Sequence, residues 1–407
     1  MIDKNRNNSL IFPHGFLWGT ATAAHQVEGN NIHSDWWKWE KDRKLIEDSG
    51  IACDHYHKFK EDFRLAKEVL HNNAHRLSIE WAKIEPKEGK FDENVINHYK
   101  EVLAELKRLG LKSMVTLHHF TLPLWFSERG GWEKKENLIF FKRFVERCAQ
   151  EYKNLVDYWI TINEPNIYTP LAYLQRIFPP QKGSLILTVK VYLNLASTHK
   201  AAYKIIHSVI PNAQVGAAVH IGMFKAFGVF ENLFPEISRR IFNYSFFDLT
   251  FKYHDFLGIN YYALHKNTLK DIFIKRKRKK ETKEMIEGEL NDLGWTMYPS
   301  GIYTICKEMY KRFHLPIIIT ENGIPDAKDE KRPSFIINHL SWLHKAIEEG
   351  VDVRGYFHWS LMDNFEWNNG RKPRFGLFEI NYKTLERIPR KSAYLYGEIS
   401  KNNGILY

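Results

Sequence analysis

Short apolar segments recur along the chain, and stretches with a helical pattern of apolar positions separate them. Eight of these segments are apolar on both faces of an extended strand, which is typical of parallel strands covered by helices. The eight predicted strands are residues 16–22, 74–81, 113–119, 157–163, 214–220, 256–262, 316–322 and 353–359. The gaps between successive strands leave room for a helix and its loops.

Two of the intervening stretches carry helix signals at both ends. Residues 92–109 begin with Asp92, a residue type that caps helix N-termini, and Gly110 supplies the stop. Their apolar residues recur at helical spacing and form one face. Residues 334–349 repeat the arrangement and stop at Gly350. Both stretches are predicted to be amphipathic helices.

Eight alternations of strand and helix predict an α/β protein with a (β/α)8 TIM barrel. An open, doubly wound sheet is the alternative fold. The sequence has no G-x-G-x-x-G motif and no Walker phosphate loop to favour that alternative. No linker or low-complexity segment divides the chain, so residues 1–407 are predicted to form a single domain.

The composition also indicates in which cellular compartment we expect the protein. The 407 residues are 44% hydrophobic, which is ample for a large core. The three cysteines lie far apart, so neither a disulfide framework nor a structural zinc site is expected, and a reducing compartment fits. The sequence shows no signal peptide and no apolar window long enough to span a membrane. We therefore expect a cytoplasmic protein without a transmembrane segment.

The formal net charge of +11 favours loose attraction to anionic surfaces. Six adjacent basic residues, KRKRKK at 275–280, fall between the sixth and seventh predicted strands. Such a run is usually a solvated loop, and no nucleic-acid partner is expected from it. Weak contact with anionic lipid stays open, because FIKRKRKK mixes apolar and basic residues.

Two glutamates follow buried strands directly. Glu164 follows the fourth predicted strand and Glu321 lies at the end of the seventh. Active sites of such barrels lie at the C-terminal ends of the strands. Strands three steps apart in a ring of eight face each other across the mouth, so both carboxyl groups can reach one bound molecule. Glycoside hydrolysis needs this arrangement, although a single glutamate of this kind is more often a salt-bridge partner.

Other strand ends supply polar groups that suit the same chemistry. Arg76 can hold a carboxylate ionised by charge pairing. His119 and Asn163 can hydrogen-bond sugar hydroxyls, and Tyr262 can donate to a carboxylate. The structural alternative for Arg76 is a bridge to a surface acid, and the structural alternative for Tyr262 is core packing.

Several stretches together resemble the landmarks of glycoside hydrolase family 1. They are FLWGTATAAHQVEGN, HRLSIEW, TINEP, FLGINYY, ITENG and WSLMDNFEW, in the family's order from residue 16 to 367. PRFGL extends the resemblance to residue 377, so nearly the whole chain is covered. TINEP together with ITENG at strand ends is highly specific. The overall sequence pattern is similar to that of compact archaeal-type β-glycosidases and related bacterial ones.

The resemblance implies a retaining β-glycosidase, a hydrolase of β-glucosides and related neutral β-glycosides that forms a covalent intermediate. It implies that Glu164 is the acid/base and Glu321 the nucleophile, with carboxyl groups ~5–5.5 Å apart. Arg76 and Tyr262 are then expected to keep the nucleophile ionised. Asn163 matches the residue that binds the sugar 2-hydroxyl.

The resemblance also implies a substrate pocket. Contacts with sugar hydroxyls are expected from Gln26, His119, Glu366 and Trp367. Trp359 matches the platform beneath the sugar ring, and Trp295 matches an aromatic residue on the aglycone side. The expected partners are small-molecule or oligosaccharide β-glycosides. No cofactor or metal is implied, and the sequence leaves the oligomeric state open.

Two positions depart from the family pattern. Phe120 stands where a tryptophan is usual, which removes an indole N–H donor, and Thr121 stands where an aspartate is usual. A 6-phospho-β-glycosidase is the first alternative, but the carboxylate of Glu366 would repel a 6-phosphate. A sugar-binding pseudoenzyme is the second, but such proteins usually lose one of the two catalytic carboxylates, and this chain keeps both.

Overall fold

A computed structural model of the protein describes residues 9–43, 47–225, 233–266 and 288–407. Its centre is a closed barrel of eight strands. In chain order the barrel strands are Leu17–Ala21, Ala74–Ser78, Lys112–Thr116, Tyr158–Asn163, Gln214–His220, Leu257–Asn260, Ile317–Asn322 and Val353–Trp359. Each of them coincides with one of the eight predicted strands.

All eight neighbouring pairs in the barrel are parallel. Each strand pairs with the next one along the chain, and the eighth closes the ring by pairing with the first. The (β/α)8 prediction is therefore confirmed, and the open-sheet alternative is wrong. Because the strands are parallel, all of their C-terminal ends open on one face.

Small and apolar side chains fill the barrel. A buried cluster joins residues from most of the barrel strands, among them Leu17, Ala21, Ala74, Met114, Ile160, Ala218, Ile318 and Phe357. The fit is close at Gly19, where an added Cβ would lie 2.5 Å from the ring of Phe357. The other faces of the strands pack against the helices in a larger cluster. This double coverage explains why the strands are apolar at nearly every position.

Helices surround the barrel. The α-helices are Ala24–Val27, Asp35–Arg43, His55–Glu68, Trp81–Ile84, Glu93–Arg108, Leu124–Glu128, Leu138–Tyr152, Pro165–Thr169, Leu185–Val209, Leu233–Ser238, Ser245–Thr250, Ser300–Phe313, Arg332–Glu348 and Lys391–Lys401. Short 3-10 turns occupy Gly131–Glu133, Lys135–Asn137, Phe251–Tyr253 and Trp367–Asn369, and π-helical turns occupy Pro170–Leu174 and Arg239–Tyr244.

The first predicted helix matches its sequence signals. The Asp92 carboxylate accepts the backbone N–H groups of Asn94 and Val95, at 2.9 and 3.3 Å, and so caps the helix. Gly110 follows with a φ of 68°, a left-handed conformation that glycine adopts at little cost.

The second predicted helix begins two residues earlier than expected, at Arg332 rather than at residue 334. Its cap comes from outside the helix. The Asp326 carboxylate accepts the backbone N–H groups of Lys331 and Arg332, at 2.8 and 2.9 Å. A start signal sought only in the adjacent residues misses such a distant acceptor.

Among the residues that the structure describes, three two-stranded sheets lie outside the barrel. Leu10–Ile11 pairs with Gly404–Ile405, Phe378–Asn381 with Glu386–Pro389, and Met223–Lys225 with Leu264–Lys266. Within the described ranges, no helix combines the length and the apolar character needed to cross a bilayer. The basic run at 275–280 lies outside the described residues.

Candidate active site

Glu164 and Glu321 both lie at the C-terminal face of the barrel, as predicted. They are 7% and 4% exposed, so each carboxyl group is largely removed from solvent. The strand pairing is irregular just before each of them. Irregularities of this kind re-aim a side chain at a strand end. Glu164 also has a φ of 44°, a strained conformation for a residue with a Cβ, of the kind that functional sites retain.

Arg76 and Tyr262 both contact Glu321, as predicted. The Arg76 guanidinium donates to one carboxylate oxygen at 2.5 Å, and the Tyr262 hydroxyl donates to the other at 2.6 Å. These contacts favour the ionised form, but burial opposes them and the charge of Glu164 adds to the effect of burial. The net result raises the pKa of Glu321 to about 7.

Asn163 connects the two glutamates through its carboxamide. Its oxygen accepts Arg76 Nη2 at 2.7 Å and Asn260 Nδ2 at 3.1 Å. Its Nδ2 lies 3.3 Å from Nε2 of His119. A single guanidinium thus orients both the side chain beside Glu164 and the carboxylate of Glu321. The predicted residues Arg76, Asn163 and His119 therefore belong to one hydrogen-bonded network.

Two contacts of Glu164 come from residues that sequence reasoning missed. Asn260 Nδ2 donates to Oε1 of Glu164 at 2.9 Å, and Nδ1 of His220 lies 3.3 Å from the same oxygen. Both residues end barrel strands, the sixth and the fifth. The rule that located Glu321 would have found them, since each is a polar residue closing an apolar strand.

Glu366 lies in the same pocket, where Trp359 and Gln26 hydrogen-bond to it. Trp359 Nε1 donates to its Oε1 at 3.2 Å. Burial, with added repulsion from Glu321 and Glu164, raises the pKa of Glu366 to about 8. Its carboxyl group is therefore mostly protonated in the pocket at neutral pH, whereas we expected a carboxylate.

Gln26 is buried beside this group. Its Nε2 donates to Oδ1 of Asn364 at 3.0 Å and to the carbonyl of Phe365 at 2.9 Å. Its own carbonyl oxygen is buried and has no partner among the described residues. Nδ1 of His119 is in the same condition. Buried polar atoms are rarely left unpaired, so both are suited to bind hydroxyl groups of a ligand.

Aromatic rings form the walls of the pocket. His119 lies nearly parallel to Trp359 and to Trp367, with ring centroids 6.0 and 6.1 Å apart. Phe120 contacts Trp367 at 5.1 Å and offers no donor, as the sequence indicates. Thr121 donates its hydroxyl to the buried Glu80 at 2.8 Å and so has a structural partner.

Trp295, the predicted aglycone-side residue, lies at the edge of the same cluster. Its ring is 6.0 Å from that of Tyr262 and 6.2 Å from that of Phe375. It is half-buried, unlike the fully buried tryptophans of the barrel core. The structure therefore brings all of the predicted site residues to one face of the barrel.

The arrangement suits proton transfer coupled to nucleophilic attack. Three carboxyl groups, those of Glu164, Glu321 and Glu366, act on one another electrostatically in a poorly solvated pocket. One guanidinium, that of Arg76, directly compensates one of them. Mutual repulsion moves the pKa values of such groups apart, so that one group carries a proton while another is ionised. This difference is the usual basis of paired acid and nucleophile roles.

Residues 8–232 and 236–405 match the sequence profile of glycosyl hydrolase family 1. The chain therefore belongs to this family, a group of retaining glycosidases, and the predicted class of enzyme is confirmed.

Proteins of known structure or activity resemble it over nearly their whole length. The β-glycosidase from Pyrococcus horikoshii is 39% identical with a TM-score of 0.90, covering 98% of this chain and 96% of that one. The β-galactosidase of Pyrococcus woesei is 30% identical over 97% of this chain and 98% of its own. The family 1 β-glucosidase from Thermotoga maritima, solved in complex with isofagomine lactam, is 27% identical with a TM-score of 0.89, covering 97% and 99%.

Proposed function

We propose that the protein hydrolyses β-glucosides and related neutral β-glycosides by double displacement, with Glu321 as nucleophile and Glu164 as acid/base. The observation that carries the assignment is the asymmetry of their surroundings. Glu321 is held by a cation and a phenol, both of which favour its ionised form. Glu164 is contacted by the amide of Asn260 and the imidazole of His220, and no guanidinium among the described residues pairs with it.

The two steps use the same pair of carboxyl groups. In the first, Glu321 attacks the anomeric carbon while Glu164 gives its proton to the departing glycosidic oxygen. In the second, water attacks the glycosyl ester and returns a proton to Glu164, and Glu321 leaves as a carboxylate. Both groups end in the states in which they began.

Electrostatics of the pair support this division. The charge of Glu164 is one of the causes that raise the pKa of Glu321. The guanidinium of Arg76 donates to Glu321, so the negative charge that the first step needs is compensated on that group.

The pocket around the pair suits a sugar ring. We assign Trp359 as the platform beneath the ring and Asn163 as the partner of the 2-hydroxyl. The unpaired buried atoms of Gln26 and His119 are available to other hydroxyls. Contacts that strengthen as charge develops on the ring accelerate the reaction.

Three further residues complete the proposed binding site. We assign Glu366 and Trp367 to hydroxyls of the same sugar, and Trp295 to the aglycone. The charges that act on Glu366 most strongly, those of Glu321 and Glu164, are negative, which favours a neutral sugar over a phosphorylated one.

We also propose that residues 1–407 act as one catalytic domain in the cytoplasm. The barrel uses strands from Leu17–Ala21 through Val353–Trp359, so no part of this span is separable from the others. Cys53, Cys148 and Cys306 are all buried and unpaired, which fits a reducing compartment.

A slow substrate tests the covalent step. Dinitrophenyl 2-deoxy-2-fluoro-β-glucoside has a good leaving group, but its fluorine destabilises the charged transition states of both steps. The glycosyl-enzyme should accumulate, add one fluoroglucosyl mass and map to the peptide that contains Glu321. Glu321→Gln is the matched control and should stay unlabelled. A label on another residue would overturn the nucleophile assignment.

A further inference from the structure

The carboxyl group of Glu164 is contacted on one oxygen. Asn260 Nδ2 and His220 Nδ1 both approach Oε1, at 2.9 and 3.3 Å. Within the part of the chain that the structure describes, no hydrogen bond goes to Oε2. The two oxygens of this side chain therefore have different surroundings, although they are chemically equivalent in an isolated glutamate.

Contacts with residues other than Glu164 fix the orientation of the Asn260 side-chain amide. Its Nδ2 also donates at 3.1 Å to Oδ1 of Asn163, which is fixed as an acceptor because it accepts Arg76 Nη2. Its Oδ1 accepts the hydroxyl of Thr320 at 2.6 Å, so Nδ2 is the group that faces Glu164. An amide nitrogen only donates. Oε1 of Glu164 is consequently an acceptor in this contact whatever the protonation state of the carboxyl group.

His220 is held in place by rings and by a second histidine. Its imidazole lies parallel to Tyr262, with centroids 5.9 Å apart, and meets the ring of Phe242 edge-on at 5.7 Å. Its Nε2 lies 3.5 Å from Nε2 of His265. When His265 donates in this contact, the hydrogen of a neutral His220 is on Nδ1 and points to Glu164.

We propose that His220, supported by His265, is a positioning residue that keeps Oε1 of Glu164 an acceptor and so places the transferable proton on Oε2. This inference rests on the proposed acid/base role of Glu164. A carboxylic acid whose proton is on the wrong oxygen must rotate or exchange it before it can protonate a leaving group. The two donors on Oε1 remove that delay.

The same geometry serves both steps of the reaction. In the first step the proton on Oε2 moves to the glycosidic oxygen as the bond from that oxygen to the anomeric carbon breaks. Oε1 and Oε2 then share a negative charge that Asn260 and His220 stabilise. In the second step Oε2 takes a proton from the attacking water, while Oε1 again remains an acceptor.

Three substitutions at one position separate this role from packing. His220→Phe keeps a flat ring against Tyr262 but removes the donor. In His220→Asn the amide nitrogen replaces Nδ1 at the same distance along the side chain. In His220→Gln the amide lies one bond further out, nearer the place of Nε2. His265→Phe removes the support and leaves His220 present.

The readout is kcat/KM for aryl β-glucosides whose leaving groups differ in pKa from about 4 to about 10. His220→Phe should lose roughly tenfold or more on the poorest leaving group and about threefold or less on the best. His220→Asn should restore most of the loss, and His220→Gln should not. His265→Phe should show the same trend, more weakly, and add little to His220→Phe.

Glu164→Ala, measured in the same series, separates two kinds of failure. If Glu164→Ala itself loses activity equally on all leaving groups, the acid/base assignment fails. If Glu164→Ala is selective but His220→Phe loses activity equally on all of them, only the present inference is overturned. If His220→Gln restored kcat/KM as well as His220→Asn does, the present inference would also be overturned. Each variant is used only with a wild-type-like unfolding temperature.

Discussion

Arg76 makes four hydrogen bonds at the base of the site, and two of them define the proposed nucleophile's environment. It donates to Glu321 at 2.5 Å and to Asn163 at 2.7 Å, and also to the carbonyl of Thr320 and the hydroxyl of Thr116. Removing the guanidinium should therefore change both the charge and the geometry of the site. Two substitutions separate these effects.

Arg76→Met removes the charge and keeps most of the stem. An opposite charge at this distance lowers a carboxyl pKa by ~1–3 units, so its loss should raise the pKa of Glu321 from about 7 by that amount. At pH 7 the ionised fraction then falls from about one half by roughly fivefold to five-hundredfold, and kcat/KM falls with it. Because the nucleophile must be ionised, the acid limb of the pH profile moves to higher pH.

Arg76→Lys keeps the charge but loses the fork that reaches two partners at once. Its acid limb should stay near that of the wild type, while kcat falls because Asn163 is no longer oriented. The assay is kcat/KM for an aryl β-glucoside from about pH 5 to about pH 10. Arg354→Met is the control, since Arg354 pairs with Asp352 on the exposed surface.

An Arg76→Met enzyme whose activity falls equally at every pH would contradict this prediction. That result would mean that the guanidinium positions the site without setting the ionisation of Glu321. A shift of the acid limb to lower pH would contradict the sign of the effect outright.

Three further changes test other parts of the structure. A phosphate beside the carboxylate of Glu321 should meet repulsion of ~2–4 kcal/mol at an effective dielectric constant of ~20, so the wild type should prefer a neutral glucoside over its 6-phosphate by roughly a hundredfold in kcat/KM. Because Glu366 is mostly protonated at neutral pH, Glu366→Gln should narrow this gap mainly above a pH of about 8, where the wild-type group ionises. Burial raises the pKa of Asp35 from 3.8 to about 8, so the folded state keeps a proton that the unfolded chain releases. The protonated carboxyl group of Asp35 contributes fully to stability below pH 3.8, and this contribution is lost as the pH rises to about 8. The unfolding temperature should therefore fall less with rising pH in Asp35→Asn than in the wild type. The control is Asp42→Asn at an exposed site, which should behave like the wild type. Asp92→Ala should lower the free energy of unfolding by ~1 kcal/mol in urea, because it removes a helix cap, whereas Asp92→Asn should cost less.

The barrel strands were predictable because burial on both faces leaves a strong sequence signal. Ile317–Asn322 is apolar almost without interruption until Thr320, and its parallel neighbours behave alike. The start of the helix at Arg332 was not predictable in this way. Its cap is the carboxylate of Asp326, which the chain brings back through tertiary structure.

The residues of the active site divide in the same way, into those that the sequence made conspicuous and those that only the fold brings together. Glu164 and Glu321 were found because charged residues at apolar strand ends are conspicuous, and Arg76 because it is a charged residue inside an apolar strand. His220 and Asn260 also end strands, but neither carries an obligatory charge, and only the folded barrel shows that both contact Glu164. The raised pKa of Glu366 was missed because it depends first on how deeply the folded pocket buries the group and then on the carboxyl groups beside it.

The most direct test of the central claim is the configuration of the product that Glu321→Gly forms with azide from an activated β-glucoside. The substitution removes the proposed nucleophile and leaves space for a small anion on the same face of the sugar. We predict that activity without azide is lost and that azide restores turnover with formation of the α-glycosyl azide. A β-glycosyl azide, or wild-type turnover without azide, would contradict the assignment of Glu321.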